Sequence, residues 1–447
     1  MLTRRCWIIL LTALALFACG ALAEGAPGLG LSEIAPVGLD IGEAPEQAAG
    51  LDAVSQALAS VPLDSGDIPA ANDGEEWSVA ISKANFPSKV FRSYVKDSFD
   101  QDGDGRLSKA EADGVYEITL RTWEDWEQGT NKINCPSLKG IEYFENLNSL
   151  CCPECGITSL DVSKNTKLDF LFVYGNKLSR LDLSKNKKLT WLDCAHNILS
   201  KLDLSKHTKL NYLHCEHNRL TALNVSGCAA LTELYCNYNR LKSLNVKDSW
   251  KLVWLNCDGN GLKSLSLSGC KKLERLYCGE NSLKTLDLSK CPNLTVLNCS
   301  ENQLKALDLS RNTKLERMTC SYNKVKSLNI SKCVKLEEMG CEHNLLTTLD
   351  VSGCPKLWEM DCGYNSLTAL DLSKNRKMSQ LKAQGNRIDA IDIKNCPGLQ
   401  KCLKLKQKTG KKVVSWGEEE DGDFEEKLMI DRGTKLTAGS KVLYPGK

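Results

Sequence analysis

From Leu147 onward one residue class returns every 21 positions: leucine at 147, 168, 189, 210, 231, 252, 273, 294, 315, 336 and 357, then Met378 and Leu399. The register holds over the whole run without an insertion or deletion, which leaves few folds open. A fixed period of this length means one supersecondary unit stacked on copies of itself, because such a unit cannot bury its apolar side alone. Each period follows L-x-x-L-x-C-x-x-N-x-L-x-x-L-D-L-S-x-N/C-x-x, and "LTWLDCAHNILSKLDLSKHTK" (Leu189 to Lys209) is representative. The alternation that ends L-x-x-L-x-C predicts a short strand with Leu192 and Cys194 inward. Leu202 and Leu204 in "LDLS" predict a second extended segment on the opposite side of the coil. Asparagine holds one slot from Asn176 to Asn386 at the same spacing. There a short amide can satisfy backbone groups of its own and the neighbouring coil.

Of 22 cysteines, most fall in two columns of this pattern. Cys194, Cys215, Cys236, Cys257, Cys278, Cys299, Cys320, Cys341 and Cys362 hold the inward strand position, where Val173 and Ala383 replace them at the ends. Cys228, Cys270, Cys291, Cys333, Cys354 and Cys396 share a slot with Asn165, Asn186, His207, Ser249, Asn312 and Asn375. A residue that alternates with valine and alanine is a small hydrophobe, and free cysteine behaves as one. Stacked side chains point the same way rather than at one another, and disulfide geometry is specific. Both columns are therefore read as buried thiols. Outside them, besides Cys6 and Cys19 near the N-terminus, lie Cys135, Cys151, Cys152, Cys155 and Cys402. For these, a cap-fixing disulfide of Cys135 with Cys151 or Cys155 stands beside free thiols as a second reading.

The motif resembles leucine-rich repeats over about 147–400, of the short 21-residue bacterial type, and "LKGIEYFENLNSL" (Leu138 to Leu150) resembles the entry into internalin-like repeats. Cys155 departs from the pattern where the first asparagine would stand. The resemblance implies a leucine-rich-repeat solenoid with parallel β strands on its concave face, a mostly extended and turn-rich convex side, and a small helical N-terminal cap. It also implies a surface or secreted adhesion role.

The N-terminus reads as an export signal. Arg4 and Arg5 precede the apolar run Trp7 to Ala18, and Ala21-Leu22-Ala23 is a small-x-small cleavage site before Glu24. Leu16-Phe17-Ala18-Cys19 resembles a bacterial lipobox, so membrane attachment is expected only if Cys19 is lipidated. Residues 24–76 hold no lysine or arginine and read as a disordered acidic spacer. The expected organisation is a signal peptide (1–23), that spacer, an EF-hand-like cap (77–146), about twelve repeats (147–400), and a C-terminal β cap and tail (401–447). In the tail, "CLKLKQKTGKKVVSW" reads as a β-hairpin through Leu403 and Leu405, a turn at Thr409-Gly410 and Val413. The acidic run Glu418 to Glu426 reads as a solvated segment.

"DQDGDGRLSKAE" (Asp100 to Glu111) has the spacing of an EF-hand loop. Asp100, Asp102, Asp104, the Arg106 carbonyl, Ser108 and Glu111 are the expected ligands of Ca2+, with Gly105 at the sharp turn. The preceding "SKVFRSYVKDSF" has helical apolar spacing, and a short helix suits the residues that follow. Millimolar extracellular calcium would occupy even a weak site and stiffen the cap.

Two outward columns of the strands hold aromatic residues in the first half of the solenoid. The candidate binding residues are Phe170, Phe172, Trp191, Tyr212, His214, Tyr235, Trp254 and Tyr277. Rings crowded on one face mark either a contact surface or cross-strand packing. His196, His214 and His217 lie near Asp193 and Glu216 and read as a coincidence of the surface rather than a metal site. Lysines in the turns after "LDLS" (164, 167, 185, 187, 188, 206, 209, 271, 272) form a basic ridge, read as a solvated edge with docking to anionic polymers as the alternative. Net charge is +2, so nothing steers the whole chain toward nucleic acid, and none is expected as partner. No nucleophile elbow, phosphate loop, zinc-protease motif or carboxylate pair stands out. The expectation is a noncatalytic exported protein that recognises an extracellular protein or glycan. An enzyme acting on an extracellular polymer and a structural envelope spacer are the rivals.

Overall fold

The computed structural model describes residues 77–420 and 423–446. The signal peptide and the acidic spacer lie outside them. The repeat closes into a solenoid. Twelve three-residue strands, from Ser149–Cys151 to Gln380–Lys382, stand 21 residues apart and pair in parallel, each residue opposite its equivalent in the next coil. They are the centre of a 16-stranded sheet. The central residue of each strand, Leu192 or Leu213 for example, is buried, as is the cysteine that follows it. The far side is mostly turns, with strand pairing at Lys201–Asp203 with Ala222–Asn224 and at Ala306–Asp308 with Ser327–Asn329.

Both asparagine-bearing columns are hydrogen-bond ladders, and they differ. In the invariant column, Asn302 accepts from the Leu283 N–H (2.9 Å) and donates to the carbonyls of Cys278, Cys299 and Ser300. The same acceptor and donor pattern, reaching 19 and 24 residues back, recurs from Asn176 to Asn386. In the mixed column, Asn186 only donates, to the carbonyls of Val162 and Asn165, and its own oxygen has no partner. Asn165, Asn312 and Asn375 repeat this. His207 places Nε2 3.1 Å from the equivalent carbonyl, that of Leu183. Cys228 and Cys333 donate a thiol to it, at 3.3 and 3.5 Å. This slot needs a donor and no acceptor, which is why cysteine, a small apolar group with a weak S–H donor, can alternate with asparagine there.

Every described cysteine is free, and all but Cys151 are buried. The cap disulfide does not form. Cys135 donates to the Ser137 carbonyl, Cys151 to that of Arg121 and Cys155 to that of Pro153. Burial pushes the thiols up, Cys228 and Cys320 to about 12, so little thiolate is present near neutrality. Alkylation of the native protein at pH 8 is expected to modify Cys151 alone among these residues, with the others reacting only in denaturant. Rapid native reaction of the strand column, followed by mass spectrometry, would show that the interior is assigned wrongly.

The ends are covered by added structure. Helix α1 (Lys89–Phe99) is N-capped by Ser88 and buries Phe91 and Val95, while Val90 faces out. Helix α2 (Lys109–Asp113) follows the acidic loop, and α3 (Trp123–Glu127) lies beyond it. The cap also supplies a strand, Glu117–Thr119, that extends the concave sheet before the first repeat. The buried Arg121 guanidinium meets Glu154 at 2.6 Å and donates to the Thr130 carbonyl, fastening the cap to the first coil. At the other end the hairpin starts later than the alternation predicts. Helix α4 (Pro397–Cys402) takes up the chain before Leu403, and the strands are Lys406–Thr409 and Val413–Glu420. The described part of the acidic run is solvated, with Glu418 and Glu425 exposed, and it is also strand. It belongs to a long hairpin whose second strand, Asp423–Asp431, joins the sheet beside Gln380–Lys382. None of the described helices is long and apolar enough to cross a membrane.

Candidate functional site

The acidic loop sits between α1 and α2. Ligand atoms of Asp100, Asp102 and Asp104 all lie within 4.8 Å of one another. Gly103 and Gly105 take left-handed φ of +72° and +77°, which lets the chain wrap round the three carboxylates. Asp100 Oδ2 accepts from the Gly105 N–H, and its buried Oδ1 has no partner. Glu111 folds back over the loop: Oε1 accepts from the Gln101 N–H and Oε2 from Ser108, in a capping box that starts α2. The strand Arg106–Ser108 pairs antiparallel with Ser78–Ala80, and the Arg106 side chain donates to Ser78.

On the concave sheet the rings form one path across six coils. Phe170 stacks on Trp191 at 4.5 Å, and Trp191 leads to His214 (6.1 Å). His214 continues to Tyr235 (4.4 Å), Tyr235 to Trp254 (5.4 Å) and Trp254 to Tyr277 (6.0 Å). Tyr212 stands in register between Trp191 and Glu233. Arg275 lies over the Trp254 ring at 4.5 Å. Phe170, Trp191, Tyr212, Tyr235, Trp254 and Tyr277 are half-buried. Phe172 and His214, expected to be available, are not: they are 1 and 7 % exposed. Trp126 of α3 packs edge-on against Phe172, and rings on both sides enclose His214. These two support the surface from beneath.

Two features escaped sequence reading. The first is a column of residues at left-handed φ, two places after the strand cysteine. There His196, His217 and Tyr238 stack at 4.3 and 4.7 Å, and Tyr322, His343 and Tyr364 at 4.4 and 4.3 Å. Each stack ends over a glycine: a Cβ on Gly259 would lie 2.5 Å from the Tyr238 ring, and one on Gly385 2.5 Å from Tyr364. The glycines at 175, 259 and 385 were the available signal. His196 and His217 meet ring to ring, which is packing geometry.

The second is buried carboxyl groups on adjacent coils. Burial pushes Asp193, Glu233 and Asp258 up to about 7, and Glu216 is raised by burial and by the Asp193 charge. Burial holds His214 down at about 4. Glu342 and Asp361 form a second such pair. Sequence spacing hides these pairs because the partners come from different coils.

Residues 271–312 match the family model for leucine-rich repeats in two copies. No curated protein matches the chain by sequence. Among solved structures, the functional domain of InlJ from Listeria monocytogenes, described as including a cysteine ladder, is 29 % identical. It aligns over 73 % of this chain and 75 % of that one, with a TM-score of 0.62. An internalin (InlF) of the same organism is 20 % identical over 68 and 97 % of the two chains (TM-score 0.52). A leucine-rich-repeat protein of Leptospira interrogans is 22 % identical over 61 and 83 % (TM-score 0.51). The stacked strands, the asparagine ladder and the cysteine column together make this chain a leucine-rich-repeat solenoid like those of the Listeria internalins.

Proposed function

We propose that this is an exported, noncatalytic recognition protein whose aromatic half of the concave sheet binds an extracellular protein, or a glycan, while calcium stiffens the N-terminal cap. The observation that carries the reading is the unbroken ring path from Phe170 to Tyr277. Partly exposed aromatic rings on rigid strands bury further area at little entropic cost, which is what binding hot spots require. The likeness to internalins supports the same role. Calcium is supported by the three gathered aspartates and the orphaned Asp100 Oδ1, an acceptor that a cation would satisfy. Asp100, Asp102 and Asp104 would hold it; Glu111 is not gathered with them, its two oxygens accepting from Gln101 and Ser108.

Trp191→Ala and Trp254→Ala are each expected to weaken capture of the partner by about 2 kcal/mol or more, measured by pull-down from host or bacterial surface fractions followed by titration. Unchanged capture by the double variant would leave a structural spacer as the better reading. The carboxyl pairs favour one other reading, hydrolysis of an extracellular polymer. Release of reducing ends from polysaccharides that is lost in Asp193→Asn and Glu216→Gln would establish it.

A further inference from the structure

We propose that the edge of the solenoid formed by the turns that lead into the concave strands is a second binding surface, and that it takes a linear acidic polysaccharide. The residue before the first leucine of each coil is lysine from Lys167 to Lys377 at every 21st position except Ala230 and Asn293. All of these lysines are exposed. Parallel pairing sets the coils about 4.8 Å apart, so the row presents one positive charge per coil on a rigid scaffold. Lys164, Lys185 and Lys206 form a second exposed row beside its first three members. Lys356 of the long row pairs with Glu337 at 3.6 Å, Lys188 lies in the field of Asp169, and Lys164 and Lys185 lie near Asp161 and Asp182. Along the long row the lysines outnumber the carboxylates two residues on (Asp169, Glu274, Glu316 and Glu337), and that excess favours a partner that supplies the missing negative charge.

A second, independent observation narrows the chemistry. The two most exposed aromatic side chains among the described residues, Trp250 (58 %) and Tyr116 (56 %), both lie on this edge. Trp250 directly precedes Lys251. Tyr116 lines a cleft of about 380 Å³ with Lys167, Lys188 and Lys209, three cations against the single carboxylate of Asp169. Rings set singly among point charges suit a chain of apolar-faced sugar rings bearing carboxylate or sulfate groups. Lysine binds such anions without the fixed fork geometry of arginine. Single-stranded nucleic acid fits less well, because its bases need successive stacking platforms and here the two rings are separated by several coils. Duplex DNA carries a charge about every 1.7 Å of axis, out of step with the rows.

The test uses the purified full-length protein and labelled oligosaccharides in fluorescence anisotropy: a heparin octasaccharide (sulfated), an oligogalacturonate (carboxylated), neutral maltooctaose and a dT20 oligonucleotide. At 50 mM salt at least one acidic glycan is expected to bind and maltooctaose not to. Binding by the heparin fragment alone assigns sulfate as the recognised group, and by the oligogalacturonate alone, carboxylate. Affinity should fall about tenfold or more by 200 mM salt, as counterion release at several lysines requires. The triple variant Lys188→Glu, Lys209→Glu, Lys251→Glu should weaken binding at least about tenfold. Trp250→Ala should weaken it several-fold at fixed salt, and Trp191→Ala on the concave sheet should have no effect. No binding of either acidic glycan, an unchanged affinity in the triple variant, loss of binding on Trp191→Ala, or dT20 binding as tightly as the glycans would each overturn the proposal. So would indifference to Trp250→Ala, since charge alone would then account for the binding. Because the two surfaces have separate variants, failure here leaves the concave-face reading untouched.

Discussion

Replacing Asn302 by cysteine is expected to lower the stability of the solenoid by about 3 kcal/mol, whereas Asn312→Cys, ten residues on, should leave it within about 1 kcal/mol. Both asparagines are buried and both sit in ladders. Asn302 uses both ends of its amide: the oxygen accepts from the Leu283 N–H, and the nitrogen donates to three carbonyls. A thiol can replace one weak donor and no strong acceptor, so a buried N–H and at least one carbonyl lose their partners, each at about 1–3 kcal/mol. Asn312 uses only its nitrogen, on the carbonyls of Leu288 and Cys291, and buries an unpartnered oxygen. Cysteine removes that orphan and keeps a donor, as Cys291 and Cys333 do in the neighbouring coils. Urea denaturation of the two variants decides the matter: equal losses would mean that the two columns are not chemically distinct.

Removing calcium is expected to cost the second-largest amount. With the affinity of an extracellular module, about 10⁻⁴–10⁻³ M, 10 mM calcium stabilises the cap by roughly 1.4–2.7 kcal/mol by mass action. That gain should appear as a higher melting temperature and slower proteolysis between Trp77 and Asn146, reversed by a chelator and absent in Asp100→Ala. Asp100 is the informative site because its Oδ1 is the buried acceptor left open by the loop. Glu111 is a poorer choice, since its carboxylate also caps α2 and its loss would destabilise the cap with or without the ion. Indifference of melting and proteolysis to both calcium and chelator would reduce the loop to a turn.

Most of the solenoid is legible without coordinates, for a local reason. Each coil repeats its neighbour, so the inward place of Leu192, Cys194 and Asn197 follows from alternation and period, and the structure buries all three. The acidic loop is legible for the same reason, since Asp100, Asp102 and Asp104 are close neighbours in the chain. The aromatic columns could be listed from register alone. Their exposure could not, because it depends on what lies over them. Phe172 reads like Phe170 in sequence, yet Trp126, 46 positions earlier, covers it.

The sequence by itself therefore determined the repeat, the inward and outward faces, the buried thiols and the gathering of three aspartates in one loop, all set by contacts between near neighbours or equivalent positions. Only the tertiary structure decided which outward rings remain reachable, which carboxyls on successive coils become paired and desolvated, and how the ends close with a cap strand, Arg121 and the Asp423–Asp431 hairpin strand. Those outcomes depend on burial and on partners distant in the chain, and neither follows from a 21-residue period.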